Sequence, residues 1–433
     1  MMENMNKPNN VGNSSENVIN VGISFPEMFE KEAPDFLEDF LEEEGITDFA
    51  IIETRKTRKS IYGTIEFENR KYHFKIGDPE SILTELKGFK VASEYPHENI
   101  ISHTIKGNHG IYLQEFSGDL ENKKNLLINS INDILLETEG DNVTRLLKKT
   151  EAILRGMGEV YKRSLTSEPI IFEGANDKFF YERIKDKGRV DQLYLEKKFK
   201  FVGGIDFDFD ELLEYKISIN NGTQSPKLKE LIVKAKEDLS PQKKRYFVVS
   251  QGDPTETNLS VNGTFFDFET GGYNSLVQDL AIFSCYNYFG GHYVAPKYSS
   301  LDFYLEAEDV NRFIATVSAR VDIDEQNKVL KTQAEFKPPS LKSTIFRQFI
   351  DYVVRPIEEG ISQEDQELLV EQLKSAILLR IIGVKDILKF SEKDLVLFLG
   401  FIGHFCNNDH PNKLSDFLAK KFIKLTPEIN YEK

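Results

Sequence analysis

The chain has 433 residues, 40% of them hydrophobic and 29% charged, which supplies ample core material for one large two-lobed unit or two to three ordinary domains. Its 55 Lys and Arg against 71 Asp and Glu leave a formal net charge of −16. That balance argues against a general nucleic-acid binder, which needs clustered cations for phosphates. It tilts weakly towards a cationic small-molecule partner, although acidic surfaces mostly serve solubility. Two cysteines, Cys285 and Cys406, exclude a disulfide framework.

Residues 1–22 lack the basic start and apolar stretch of a signal peptide and are expected to form a polar, Asn-rich disordered tail. The expected compartment is therefore cytoplasmic. APDFLEDFLEEEG follows as an amphipathic helix with Phe36, Leu37, Phe40 and Leu41 on its apolar stripe and Gly45 as its C-terminal glycine. Three strand-like runs come next, ITDFAIIETR, SIYGTIEFE and KYHFKIG, the last two joined by an ENR turn. In KYHFKIG, Tyr72, Phe74 and Ile76 alternate with His73 and Lys75, so Lys75 faces away from the apolar side. Arg55, Lys56, Arg58 and Lys59 fit a solvated turn, with Gly63 the one glycine nearby.

PESILTELKGFKVASEY predicts a helix with proline in its first turn, a buried face of Ile82, Leu86 and Phe89, and Glu85 beside that face. NIISHTIKG and HGIYLQEF complete a β-β-β-α-β-β order, a compact α+β lobe over residues 23–116. From 117 to 433 the pattern turns helical, in NLLINSINDILLE, NVTRLLKKTEAILRGMGEVYKRS, and stretches near 174–199 and 226–238. SLVQDLAIFSCYNYF, SAILLRIIG and DLVLFLGFIGHF continue it. The apolar run at 395–405 covers about half of a membrane span, so it is expected in a core helix, with no membrane partner. Residues 322–340, charged and ending in KPPS, suggest a connector. DFDFDELLE resembles a calcium loop but has Glu211 and Ile217 where that loop needs glycine and glutamate, so calcium is not expected. His404 and Cys406, two apart on a helix, point to different sides and fit packing better than metal.

One stretch interrupts the helices: FVVSQGDPTETNLSVNGTFFDFE, residues 247–269. It sets Asp253, Asn258 and Asp267 at the ends of short apolar strands, with Asn262-Gly263 as an expected type I′ turn. Turn chemistry alone accounts for Asp, Asn and Gly at such places. However, SQGDPTETNLSV resembles the His-Gly-Asp-x-x-x-x-Asn catalytic loop of the aminoglycoside phosphotransferase and choline kinase family. FFDFETGGYNSLVQDLA is similar to that family's Ile-Asp-[Phe/Trp]-Glu segment with its trailing Asp-Leu-Ala. The resemblance covers roughly residues 47–290 and is strongest over 251–281.

That resemblance implies a bilobal, protein-kinase-like α+β fold. Its parts are a small five-stranded N-terminal lobe with one helix and a mainly helical C-terminal lobe with extra C-terminal helices. It implies an ATP- or GTP-dependent, Mg²⁺-requiring kinase acting on a hydroxyl of a small molecule, such as an aminoglycoside-, choline- or sugar-like acceptor. Phosphoryl transfer needs a held metal, held phosphates and an aimed hydroxyl. By resemblance Asp253 is the catalytic acid–base residue, Asn258 and Asp267 are metal ligands, and Lys75 grips the nucleotide phosphates. Glu85 holds Lys75, the backbone of Gln114, Glu115 and Phe116 takes the adenine edge, and Asp279 braces the catalytic loop. The chain departs from the family pattern in having Gln251 in place of histidine and a short hairpin before Asp267. That hairpin makes Glu269 a reserve ligand. It also lacks a glycine-rich phosphate loop. The alternative is a catalytically inactive kinase-like nucleotide-binding or scaffold protein.

Overall fold

The computed structural model describes residues 26–56, 60–137, 140–168, 175–201, 205–299, 309 and 319–423. The tail expected over residues 1–22 lies outside these, as do Arg58 and Lys59. Tertiary packing divides the chain into two units. One holds the residues up to Pro79 with Ile101–Leu113; the other holds Glu80–Ile100 and everything from Gln114.

The first unit is built on five antiparallel strands: β1 (Ala50–Lys56), β2 (Ser60–Phe67), β3 (Arg70–Gly77), β4 (Ile100–Lys106) and β5 (His109–Glu115). Their order is β1-β2-β3-β5-β4. Alternation along β3 sends Tyr72, Phe74 and Ile76 into a core shared with Ile61, Ile65, Ile111 and Leu113. Leu37, Phe40 and Leu41 of helix α1 (Pro26–Glu43) complete that core. The α1 helix starts earlier than its apolar stripe suggests and carries Pro34 inside it. It stops at Gly45, whose φ is +79°, with Ile46 N–H bonded to Leu41 O at 2.8 Å. The β2–β3 turn places Glu68 and Asn69 both at positive φ, the backbone twist that a two-residue hairpin requires. Gly63 has a packing role: a Cβ there would lie 2.0 Å from Glu53 O, beside the bulge in β1.

In the second unit, helix α2 (Pro79–Val91) lays Phe89 on Phe268, ring centroids 4.7 Å apart. Hairpin strands β6 (Lys198–Phe201) and β7 (Ile205–Asp208) precede β8 (Lys216–Ile219). Strands β9 (Phe247–Ser250) and β10 (Gly272–Ser275) pair antiparallel and hold the loop of interest between them.

The 322–340 segment is not the expected connector. Strands β11 (Ala319–Asp324) and β12 (Val329–Ala334) form a hairpin whose second strand pairs parallel with β8. Their charges sit on one face, while Val329, Leu330, Thr332 and Ala334 are buried. Helix Glu392–Phe405 covers that sheet. A Cβ on its Gly400 would lie 2.7 Å from Thr332 Oγ1, and one on Gly403 would lie 2.8 Å from Ile217 O. Among the described residues no helix is long and apolar enough to cross a membrane. His404 Nε2 donates to Lys421 O at 2.7 Å, and Cys406 is buried.

Candidate active site

Strand β9 is fully buried and delivers the chain to Gln251 and Gly252. Gly252 has φ +89°, and a Cβ there would lie 2.0 Å from Thr270 O. Only glycine lets the two loops approach so closely. Gln251 then ties them together. Its Oε1 accepts from Asp253 N–H at 2.9 Å, while its Nε2 donates to Phe266 O at 2.8 Å and to Asp267 O. The amide thus bridges both arms from one side chain, because it offers one acceptor and two donors.

Asn258 is fixed by the same loop. Its Nδ2 donates to Asp253 O at 3.0 Å and reaches the Asp253 carboxylate at 3.3 Å. Its own carbonyl accepts from Phe266 N–H at 3.0 Å, which draws the two arms of the hairpin together. The turn is not type I′. Asn262 keeps an ordinary φ, and Gly263 alone is left-handed at +94°, with Gly263 N–H bonded to Ser260 O at 3.1 Å. This is a three-residue loop closed by a left-handed glycine. Asp267 follows in a left-handed conformation itself, φ +55° and ψ 71°. Such a conformation costs about 1–3 kcal/mol in a non-glycine residue, and its surroundings must enforce it.

The frame behind the loop is buried and hydrogen-bonded. Asp279 is wholly buried, accepting from Tyr161 Oη at 2.5 Å and Asn176 Nδ2 at 3.2 Å. Asn274 Nδ2 donates to Thr270 O at 2.7 Å and Ser250 Oγ at 3.0 Å. The α2 helix closes on the loop as well: a Cβ at Gly88 would lie 2.2 Å from Phe268 O. Glu85, 2% exposed, stands one turn before that contact.

Burial pushes the Asp253 carboxyl up to about 6. The positive charge of Arg380 opposes the rise, Asp267 and Asp279 add to it, and Arg183 lowers it slightly. Burial likewise holds Asp279 at about 6 despite its hydrogen bonds. Arg183 is pushed down to about 9, by burial first and then by Arg380 and Arg189. Neither Arg183 nor Arg380 stands out in a motif. The available signal was a lone charge inside the apolar run of SAILLRIIG.

The structure gathers Asp253, Asn258 and Asp267 in one loop system of the second unit, with Asp279 braced behind it. Lys75 lies on β3 of the first unit, opposite Tyr62 in register, on the sheet face away from the core. Its charge, after burial, lowers the His73 pKa to about 4. Gln114, Glu115 and Phe116 are half-buried at the end of β5 and just past it. Glu115 N–H is bonded to Asn99 O at 2.9 Å, and Gln114 Nε2 to Glu98 O at 2.9 Å. Glu269 is engaged by Lys178 at 2.7 Å.

A hard cation prefers oxygen ligands, and Mg²⁺ in particular takes one or two from protein and the rest from phosphates and water. Asn258 Oδ1 and the exposed Asp267 carboxylate have no hydrogen-bond or ion-pair partner among the described residues, so this donor set fits Mg²⁺.

No family model and no curated protein matches the chain. Several solved structures are similar in part. An aminoglycoside phosphotransferase in ternary complex with ADP and hygromycin B is 7% identical, covers 84% of this chain and 95% of its own, with a TM-score of 0.41. A Plasmodium vivax ethanolamine kinase is 12% identical over 84% of each chain, with a TM-score of 0.39. An aminoglycoside-3′-phosphotransferase of type VIII is 11% identical over 79% of this chain and 98% of its own, with a TM-score of 0.36. At such identities and scores, the functional reading rests on the residues of the site.

Proposed function

We propose that the chain is an ATP- or GTP-dependent, Mg²⁺-requiring phosphotransferase of the aminoglycoside phosphotransferase and choline kinase type, acting on a hydroxyl of a small molecule. The observation that carries this reading is the Gln251 clamp, which fixes Asp253 and Asp267 on one side chain while Asn258 is bonded to Asp253.

Asp253, raised to about 6, is ionised at neutral pH yet basic enough to take a proton from an attacking hydroxyl. As the acceptor oxygen bonds to the γ-phosphorus, the bond to the β-phosphate oxygen breaks and the hydroxyl proton passes to Asp253. Asn258 Oδ1 and the Asp267 carboxylate would hold Mg²⁺, which when bound offsets the phosphate charge. Lys75 is assigned to the nucleotide phosphates and Glu85 to holding Lys75. The backbone at Gln114–Phe116 is assigned to the adenine edge. Because Glu115 N–H is already bonded, the donor there would be Phe116 N–H.

The reading is tested by Asp253→Asn, which is expected to lower turnover by about 10²-fold or more while nucleotide still binds. ADP or GDP release against a panel of alcohols measures it. Wild-type rates in that variant would refute the role of Asp253. Nucleotide binding with no release on any acceptor would instead favour the inactive scaffold.

A further inference from the structure

Helix Gln363–Ile382 is buried along most of its length, and near its end the sequence places Arg380 among Leu378, Leu379, Ile381 and Ile382, all buried. Arg380 is half-buried and makes no hydrogen bond or ion pair with any described residue. A partly buried charge without a partner is costly, and the apolar stretch Ala376–Ile382 around Arg380 has no packing need for one.

Arg380 also does not stand alone. Arg183 donates from Nη1 to Gly383 O at 3.1 Å, three residues past Arg380, and its guanidinium lies 5.2 Å from the centre of the Phe179 ring. Arg189 donates to Val384 O at 3.3 Å, and Lys385 Nζ lies 3.4 Å from Tyr298 O. Among the described residues, none of these four cations forms an ion pair with a carboxylate, in a chain with 16 more acids than bases. The carboxylates in the neighbourhood include Asp386, which caps Leu388 N–H at 3.2 Å, and those around the loop of Asp253, because helix Gln363–Ile382 packs on helix Leu276–Cys285, whose Asp279 stands behind that loop.

Carbonyls at a helix C-terminus attract cations, which accounts for Arg183 and Arg189. It does not account for Arg380, which bonds to none of them. A guanidinium fork suits phosphate or carboxylate, and two neighbouring forks suit it better. An acceptor brought up to Asp253 and Asp267 would be repelled by them if anionic, unless cations such as these stood ready.

We propose that Arg380, with Arg183 beside it, forms an acceptor subsite for the phosphate or carboxylate of an anionic, hydroxylated small molecule whose reacting hydroxyl is presented to Asp253. This rests on the phosphotransferase reading for the reaction, and it reverses the cationic preference that net charge alone suggests.

One hexose scaffold in four charge states tests it: glucose 6-phosphate, gluconate, glucose and glucosamine, titrated calorimetrically into the full chain and into Arg380→Gln and Arg380→Lys. The expected result is that an anionic probe binds tighter than glucose and glucosamine. Arg380→Gln should weaken it by about tenfold or more, and Arg380→Lys, which keeps the charge and guards against misfolding, by less. Whether the phosphate or carboxylate arm responds identifies the group. Tighter binding of glucosamine, no binding of either anion, or unchanged affinity in Arg380→Gln would overturn the subsite. Stabilisation of the wild-type chain by Mg–ATP is read separately. If it is absent while anion binding depends on Arg380, the phosphotransferase reading fails and the anion subsite stands.

Discussion

Gln251 shows how a single side chain can organise a site. Each of its amide atoms is committed: one holds the backbone of Asp253, the other the backbone around Asp267. Its place in the motif was visible in the sequence, but its reach across to residues 266 and 267 was not, because that contact depends on how the hairpin folds back. Arg380 was harder still to see. A lone arginine in an apolar run is ambiguous until tertiary structure shows that no carboxylate among the described residues pairs with it.

The Asp253 shift yields a pH prediction. With the carboxyl at about 6, kcat/KM should fall tenfold per pH unit below about 6 as the general base is protonated. Stability should move the other way. Asp253 and Asp279 are both raised to about 6, so between the ordinary aspartate range and 6 the folded chain binds more protons than the unfolded one. The contribution of these two groups to stability therefore grows as pH falls through that window and is lost as pH rises to 6. A pH–rate profile with an acid limb near 4 would contradict the burial of Asp253.

At the scale of elements, glycines mark where the backbone must come close. On α2, Gly88 packs directly against the backbone at Phe268, the residue after Asp267. Gly88→Ala is expected to destabilise the chain by about 1–3 kcal/mol through overpacking. It should also weaken Mg-nucleotide binding by displacing the Asp267 segment, as measured by thermal melting and titration. Gly156, in helix Gly140–Ser164, is the control: a Cβ there meets nothing within 4 Å. Gly156→Ala should be neutral or stabilising by up to about 1 kcal/mol. Equal effects from the two substitutions would show that α2 has no special contact with the loop.

The strands of the first unit and α2 were legible because alternation and helical spacing are local signals. The β11–β12 hairpin was not, because its charges mask a buried face of Leu330, Thr332 and Ala334 and its partner β8 lies about a hundred residues away. The turn before Asp267 was misread for a related reason. Asn-Gly favours type I′, but Ser260 and Thr264 pair one residue wider and leave only Gly263 left-handed.

For the molecule as a whole, the chain divides into a sheet unit carrying Lys75 and a larger unit carrying Asp253, Asn258 and Asp267. A phosphotransferase needs both to act on one nucleotide, and Asp267, with its left-handed backbone and a carboxylate that has no partner among the described residues, bears most directly on that demand. Calorimetric titration of ATP into the wild-type chain and into Asp267→Asn, with and without Mg²⁺, is the most direct test. The account predicts measurable binding to the wild type with Mg²⁺, weakened about tenfold or more either by omitting the metal or by the substitution. ATP affinity that is indifferent to both, or no ATP binding at all, would contradict it.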